Sequence, residues 1–98
     1  ARAIAQRESQ LARIHGIWGT GQLAARDANA GKALLPLLAD GDAEIVAQTA
    51  KVLGDVRLPD AGDRLLPLLT NANPRVQFFA AQSLGRIRHQ AAVQPLLA

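Results

Sequence analysis

Cysteine is absent from this sequence, which excludes a disulfide framework and any thiolate metal site. Histidine occurs only at His15 and His89. Zinc takes three or four ligands, often at short spacing, and neither histidine has such a neighbour, so no metal is expected. Nucleophiles are equally scarce. Ser9 and Ser83 lack a G-x-S-x-G setting and have no histidine close by in sequence. The eight carboxylates cluster at turns and helix starts, where capping explains them better than acid–base chemistry. Neither a catalytic residue nor a cofactor is expected. Gly16, Gly19 and Gly21 do not form G-x-G-x-x-G, follow no strand and precede no Lys-Ser/Thr, so they read as close helix packing and not as a phosphate loop. No apolar run approaches the roughly 20 residues of a membrane span, and no stretch has the pattern of a signal peptide.

Alanine and leucine dominate, aromatics number three, and β-branched residues are few. That balance favours helices over strands. Ninety-eight residues suit one domain. The chain begins at Ala1 and ends in the apolar run Pro95-Leu96-Leu97-Ala98, and so reads as a segment of a larger protein. Nine arginines and two lysines leave a net charge of +3, which permits an anionic partner without demanding one.

An internal repeat organises the chain. Leu34-Leu35-Pro36-Leu37-Leu38 recurs as Leu65-Leu66-Pro67-Leu68-Leu69, 31 residues on. The same offset carries Asp40 to Asn71, Ile45 to Val76, Ala50 to Ala81, Leu53-Gly54 to Leu84-Gly85, and Arg57 to Arg88. At an offset of 33, Ala12, Gly16, Gly21 and Leu23 fall on Ile45, Thr49, Gly54 and Val56. Pro95-Leu96-Leu97 begins a further copy. The units are 1–26, 27–57 and 58–88, with a partial unit at 89–98.

Each unit reads as two helices. The first carries the Leu-Leu-Pro-Leu-Leu run with its proline near the start, where an N–H has no intrahelical partner. Asp60 and Asp63 stand ready as caps and dipole complements for the second copy. Asp42 and Asn73 are the expected N-caps of the second helices, with Pro74 at a first helical position. Those helices place Ile45, Val52, Leu53 and Val56, and Val76, Ala80, Leu84 and Ile87, at helical spacing. Gly54 and Gly85 in the last turn would let a neighbouring helix come close. One such hairpin cannot bury its own apolar face, so a stack is required.

The second helices carry a family resemblance. Val76-Gln77-Phe78-Phe79-Ala80-Ala81-Gln82-Ser83-Leu84-Gly85 and the stretch from Ile45 to Gly54 resemble the second helix of HEAT-like repeats of the phycobilisome-lyase type. Ala12 through Leu23 is similar to the same helix in repeats of large bacterial dehydrogenase-like or cytochrome-like proteins. The resemblance covers roughly residues 8–98 and implies a bacterial parent protein. It also implies an arginine straight after the valine position, hydrogen-bonded to an aspartate between repeats. Arg13 fits that pattern, whereas Val46 and Gln77 replace it in the other copies.

The fold expected is therefore all-α: a right-handed α-solenoid of about three HEAT-like hairpins with partial units at its ends. The function expected is non-catalytic, a protein–protein interaction module or a scaffold within the parent chain. The stripe that the core leaves outside holds His15, Trp18 and Gln22, then Gln48, Lys51 and Asp55, then Phe79, Gln82 and Arg86. In solenoids the equivalent helices usually line the partner-binding face. Trp18 aligns with Lys51 and Gln82, so it reads either as an exposed anchor or as packing for a preceding repeat. Phe78-Phe79 reads as one core residue and one partly covered neighbour. Arg26, Arg57 and Arg88 fall near the ends of the second helices. They form either a positive edge for a nucleic-acid backbone or helix-dipole complements. No membrane partner is expected. The uncapped, leucine-rich ends offer a route to a homodimer.

Overall fold

A computed structural model describes the backbone of residues 2–97 and the side chains of residues 8–27 and 29–88. His89 and the expected partial unit at 89–98 have side chains outside that set. The order is α1 (Arg2–Ala24), α2 (Ala28–Lys32), a 3₁₀ turn (Leu35–Ala39), α3 (Ala43–Asp55), a 3₁₀ turn (Pro59–Ala61), α4 (Gly62–Leu65), a 3₁₀ turn (Leu66–Thr70) and α5 (Pro74–Leu97). Strands are absent among the described residues. The molecule is an α-solenoid, elongated to 57 × 30 × 15 Å.

The first helix of each hairpin is broken at its proline. Pro36 and Pro67 were expected near the helix start. Each instead opens a 3₁₀ turn that follows a short α-helical stretch. Proline supplies no N–H and disfavours helical geometry in the residue before it, and at Pro36 and Pro67 the α-helix does not run on. The chain tightens into i→i+3 bonds, with the Leu37 and Asp40 amides donating to the Leu34 and Leu37 carbonyls at 3.0 and 3.1 Å. Asp60 and Asp63 do not cap. The N-cap positions are Leu58 and Ala61, and neither makes a side-chain cap bond. Both aspartates lie in first turns instead, where a carboxylate still complements the dipole.

The second helices start as expected, and the two starts match each other. The Asp42 carboxylate accepts from the Glu44 amide at 2.9 Å. Asn73 Oδ1 accepts from the Arg75 and Val76 amides at 2.9 and 3.3 Å, with Pro74 as the first helical residue. Two residues upstream, Asp40 and Asn71 accept from the Asp42 and Asn73 amides at 2.9 and 2.8 Å. Caps of this kind contribute about 1 kcal/mol each.

The core runs the length of the stack. Ile14 and Ile17 enter it from α1, and Leu34, Leu35 and Leu38 from the first hairpin. Ile45, Val52 and Leu53 join from α3, Leu58, Ala61 and Leu65 from the next hairpin, and Ala80, Leu84 and Ile87 from α5. Val46, Ala47 and Val76 form a smaller buried cluster between α3 and α5. Val56, at the end of the α3 pattern, is half-buried. Among the described residues, the two buried polar side chains are satisfied: Thr49 Oγ1 donates to the Ile45 carbonyl at 2.7 Å and Ser83 Oγ to the Ala50 carbonyl at 2.6 Å.

Glycine allows the second helices to cross. A Cβ built on Gly54 would lie 2.6 Å from the Ser83 Cα, and one on Gly21 would lie 2.5 Å from Val52 Cγ1. Tight packing was expected at Gly16, Gly19 and Gly85 too. There a Cβ would meet nothing within 4 Å among the described residues, because no helix lies against those faces.

α3 ends in a left-handed turn. Arg57 has φ 52°. Its amide donates to the Gly54 carbonyl at 3.1 Å, and the Leu58 amide donates to the Leu53 carbonyl at 3.2 Å. Those paired bonds make a Schellman motif, closed by the buried Leu53 and Leu58. An arginine stands where the motif usually takes glycine.

Candidate functional site

The stripe along α1, α3 and α5 is tied together by polar side chains that cross the repeat boundaries. The Trp18 indole Nε1–H donates to Gln48 Oε1 at 3.1 Å, and Gln48 Nε2–H donates to Glu44 Oε1 at 2.9 Å. Glu44 also takes the Arg75 guanidinium, at 2.9 Å, and Arg75 lies 5.6 Å from the centre of the Phe79 ring. A cation over an aromatic face at that range is attracted by the ring quadrupole. Further along, Asp55 pairs with Arg86 of the next repeat and lies 3.6 Å from Lys51 Nζ. The two basic groups share one carboxylate, which neutralises part of the positive charge on this side.

Trp18 is 47% exposed and stands 5.6 Å, centroid to centroid, from His15. A groove of about 380 Å³ opens beside it, with Gln22, Lys51 and Asp55 on its polar margins and Gly21, Val52 and Val56 at its apolar base. His15, Gln22, Asp55 and Arg86 are exposed, while Gln48, Lys51, Phe79 and Gln82 are half-buried. Trp18, Gln48, Lys51, Asp55 and Arg86 are linked by contact or by the shared groove. No bond of the Gln82 side chain is present among the described residues.

The phenylalanine pair divides clearly. Phe79 packs against the buried core, whereas Phe78 is 60% exposed. A sequence pattern that counts both rings as apolar cannot separate them. Position 78 follows the spacing that buries Ala47 in the preceding repeat, but no further helix among the described residues covers it.

Arg26, Arg57 and Arg88 are all exposed and occupy three different backbone settings. Arg26 lies in the turn after α1, Arg57 in the left-handed turn after α3, and Arg88 within α5. Dipole complementation was one expected role for all three. It does not suit Arg88, because α5 continues to Leu97. Their side chains make no hydrogen bond or ion pair among the described residues.

Four polar residues outside the expected site fasten the first repeat to the second. Arg13 on α1 forms an ion pair with Asp40, and Gln10 Nε2–H donates to the Asp42 carboxylate at 3.0 Å. The hydrogen bond from Arg13, followed by the Asp42 amide, holds the Asp40 carboxyl below its usual value. The same hydrogen bond to Asp40 raises the Arg13 guanidinium. The sequence signal was the arginine at the family position. The other two copies depart from the pattern, as Val46 and Gln77 imply. Val46 is buried beside Ala47 and Val76, and the Gln77 side chain donates to the Asn71 carbonyl of its own turn.

No group of three or more metal-binding side chains occurs among the described residues, and no described helix is long and apolar enough to cross a membrane. A family model of HEAT repeats matches residues 31–98. No curated protein and no solved structure matches the chain.

Proposed function

We propose, from the premise that this chain belongs to the HEAT-repeat family, that it binds another protein, or another domain of its parent chain, along the stripe of α1, α3 and α5. HEAT repeats generally serve as protein-interaction or scaffold modules, and the reading is a non-catalytic one. The observation that carries it is Trp18. This large amphipathic ring is half exposed, with its N–H held across the repeat boundary by Gln48 and an apolar-floored groove beside it. Tryptophan is enriched among binding hot spots because it offers much contact area at low conformational cost. Gln48, Lys51 and Gln82 supply polar neighbours, Phe79 and its Arg75 cover mark one end of the stripe, and His15 lies tilted beside Trp18 at the other.

The test compares capture of proteins by the wild-type chain and by Trp18→Ala, with the captured protein identified in each. A protein held by the wild type through high salt and nuclease, and released by Trp18→Ala at unchanged helicity and melting temperature, supports the reading. A Trp18→Ala variant that melts earlier yet keeps its capture makes Trp18 structural and ends the proposal.

A second reading rests on the exposed arginines, of which Arg88 has no dipole role. Nucleic acid bound along Arg26, Arg57 and Arg88 would dissociate steeply with added salt. Changing Arg57 and Arg88 to alanine would reduce the slope by about 1 for each phosphate contact removed. An affinity that ignores salt rejects this reading.

A further inference from the structure

The hairpins run between two edges of the stack, and the edges hold their charges differently. At one edge lie the turns inside the hairpins, residues 40–42 and 71–73. At the other, α1 and α3 end and α2 and α4 are entered. Arginines near the first edge are taken up by carboxylates: Arg13 pairs with Asp40 and Arg75 with Glu44. At the second edge Arg26 and Arg57 follow the ends of α1 and α3, Arg64 lies in α4, and Arg88 is the repeat counterpart of Arg57. All four are exposed, and their side chains make no hydrogen bond or ion pair among the described residues. The carboxylates of the same edge have other duties. Asp60 lies 3.5 Å from Lys32 Nζ, Asp27 accepts from the Asn29 amide at 3.0 Å, and Asp63 complements the dipole in the first turn of α4.

Arg57 alone among the described residues has a positive φ, 52°. An L residue in that region brings its Cβ against a carbonyl oxygen, a cost that glycine avoids. Arg57 thus fills the glycine position of the Schellman turn, and its side chain returns no bond to the fold. Complementing the α3 dipole is worth less than the steric cost of the left-handed backbone. The unit that holds Arg57 has a described repeat on each side, α1 before it and α5 after it, and Arg57 is exposed with both neighbours in place.

We infer that Arg57 is a contact residue for the phosphate backbone of a double-stranded nucleic acid, with Arg26, Arg64 and Arg88 on the same edge. This deepens the second reading above and rests on it. Backbone strain that returns nothing to the fold points to a function for the side chain. A guanidinium is planar and meets a phosphate with two parallel hydrogen bonds. The duplex follows from what the edge lacks. Proteins that hold single strands stack the bases on aromatic rings. The three aromatics of this chain lie elsewhere: Trp18 on the stripe, and Phe78 and Phe79 in the first turns of α5, toward the opposite edge. Contacts to phosphate carry no base readout, so the binding is independent of sequence.

The experiment titrates the chain, over a salt series, onto two labelled DNA duplexes of unrelated sequence, onto oligo-dT and onto poly-glutamate. Arg57→Gly and Arg57→Lys are the variants, with Arg13→Gln as a control on the other edge. The wild type is expected to bind both duplexes alike and to bind them more tightly than either other polymer. Arg57→Gly should reduce the slope of log affinity against log salt by about 0.9, the loss of one phosphate contact. Arg57→Lys and Arg13→Gln should keep the wild-type slope. Arg57→Gly should also melt later than the wild type, because glycine fits the left-handed turn. A wild type that binds no duplex overturns the inference together with the second reading. A salt-dependent duplex complex whose slope is unchanged in Arg57→Gly overturns the inference alone and leaves the second reading on Arg26 and Arg88. Tighter binding to oligo-dT assigns the edge to a single strand, and tighter binding to poly-glutamate assigns it to an acidic protein; either overturns the inference. An Arg57→Gly variant that melts earlier makes the arginine a structural residue and overturns it as well.

Discussion

The two joints of this solenoid share a crossing and differ in how they are fastened. At the first, α1 lies against the second unit with Gly21 opposite the Val52 side chain. Its charged tie, Arg13 to Asp40, and the bond from Gln10 to Asp42 reach from the helix to the following inter-helix turn, and Trp18 to Gln48 is a neutral bond from helix to helix. At the second, Gly54 faces the Ser83 backbone itself. The polar ties run from helix to helix, Glu44 to Arg75 and Asp55 to Arg86, with a buried hydroxyl bond from Ser83 to the Ala50 carbonyl. Val46 sits where Arg13 does and Asn71 where Asp40 does, so the first fastening cannot be repeated. A backbone crossing set by glycine therefore tolerates different chemistry around it. What the joint requires is close approach and satisfied polar groups, not one particular pair.

The largest effect expected from this comparison is at the glycines. Gly54→Ala must move the α5 backbone and should cost about 2–3 kcal/mol, even after the roughly 1 kcal/mol that alanine returns in helix propensity. Gly21→Ala displaces only a Val52 methyl and should lie within about 1 kcal/mol of the wild type. Urea unfolding of both variants checks this, and equal losses would erase the distinction between the joints. Ser83→Ala should cost about 1 kcal/mol, the worth of one hydrogen bond, read as a lower urea midpoint at unchanged slope. No change would mean that the hydroxyl adds nothing to the second joint.

The smallest effect is expected at Asp40→Asn, which gives the first joint the residue found in the next unit. The folded-state pKa of Asp40 lies below its ordinary value of 3.8. Its contribution is thus fully present above that value and is lost as pH falls through the lower folded value. Asp40→Asn should melt earlier than the wild type near neutrality, and the gap should close as the pH drops below about 3.8. The turn itself should survive, because Asn71 accepts the equivalent amide. A gap that stays constant with pH would show that the ion pair does not fasten this joint.

Local chemistry was legible wherever it is set within a few residues. Asp42 and Asn73 were readable as caps because a short polar side chain before a helical apolar pattern has few other roles. The core positions of α3 and α5 were readable because burial on one helix face imposes a 3.6-residue period. The proline break was misplaced because a Leu-Leu-Pro-Leu-Leu run fits both the start of an α-helix and the start of a 3₁₀ turn. Asp60 was read as a cap, but it lies 3.5 Å from Lys32 of the preceding unit, a pairing across 28 residues that no local rule anticipates.

The candidate stripe was legible as a row of positions and not as a set of bonds. Periodicity placed Trp18, Gln48, Asp55 and Arg86 outside the core. Only the stacking of the repeats decided that Trp18 donates to Gln48 and that Asp55 takes Arg86. The same holds for Gly85 and Phe78, which copy Gly54 and Ala47 by register yet face outward.

The amino-acid sequence by itself determined the helical class, the repeat, the caps and the buried face of each second helix, because those follow from backbone propensity and from a period counted along one element. Tertiary structure alone decided which faces are covered, which carboxylate meets which cation and where two helices touch. Those outcomes depend on the element that arrives from about 30 residues away, and a one-dimensional pattern does not record the distance of closest approach between two helices.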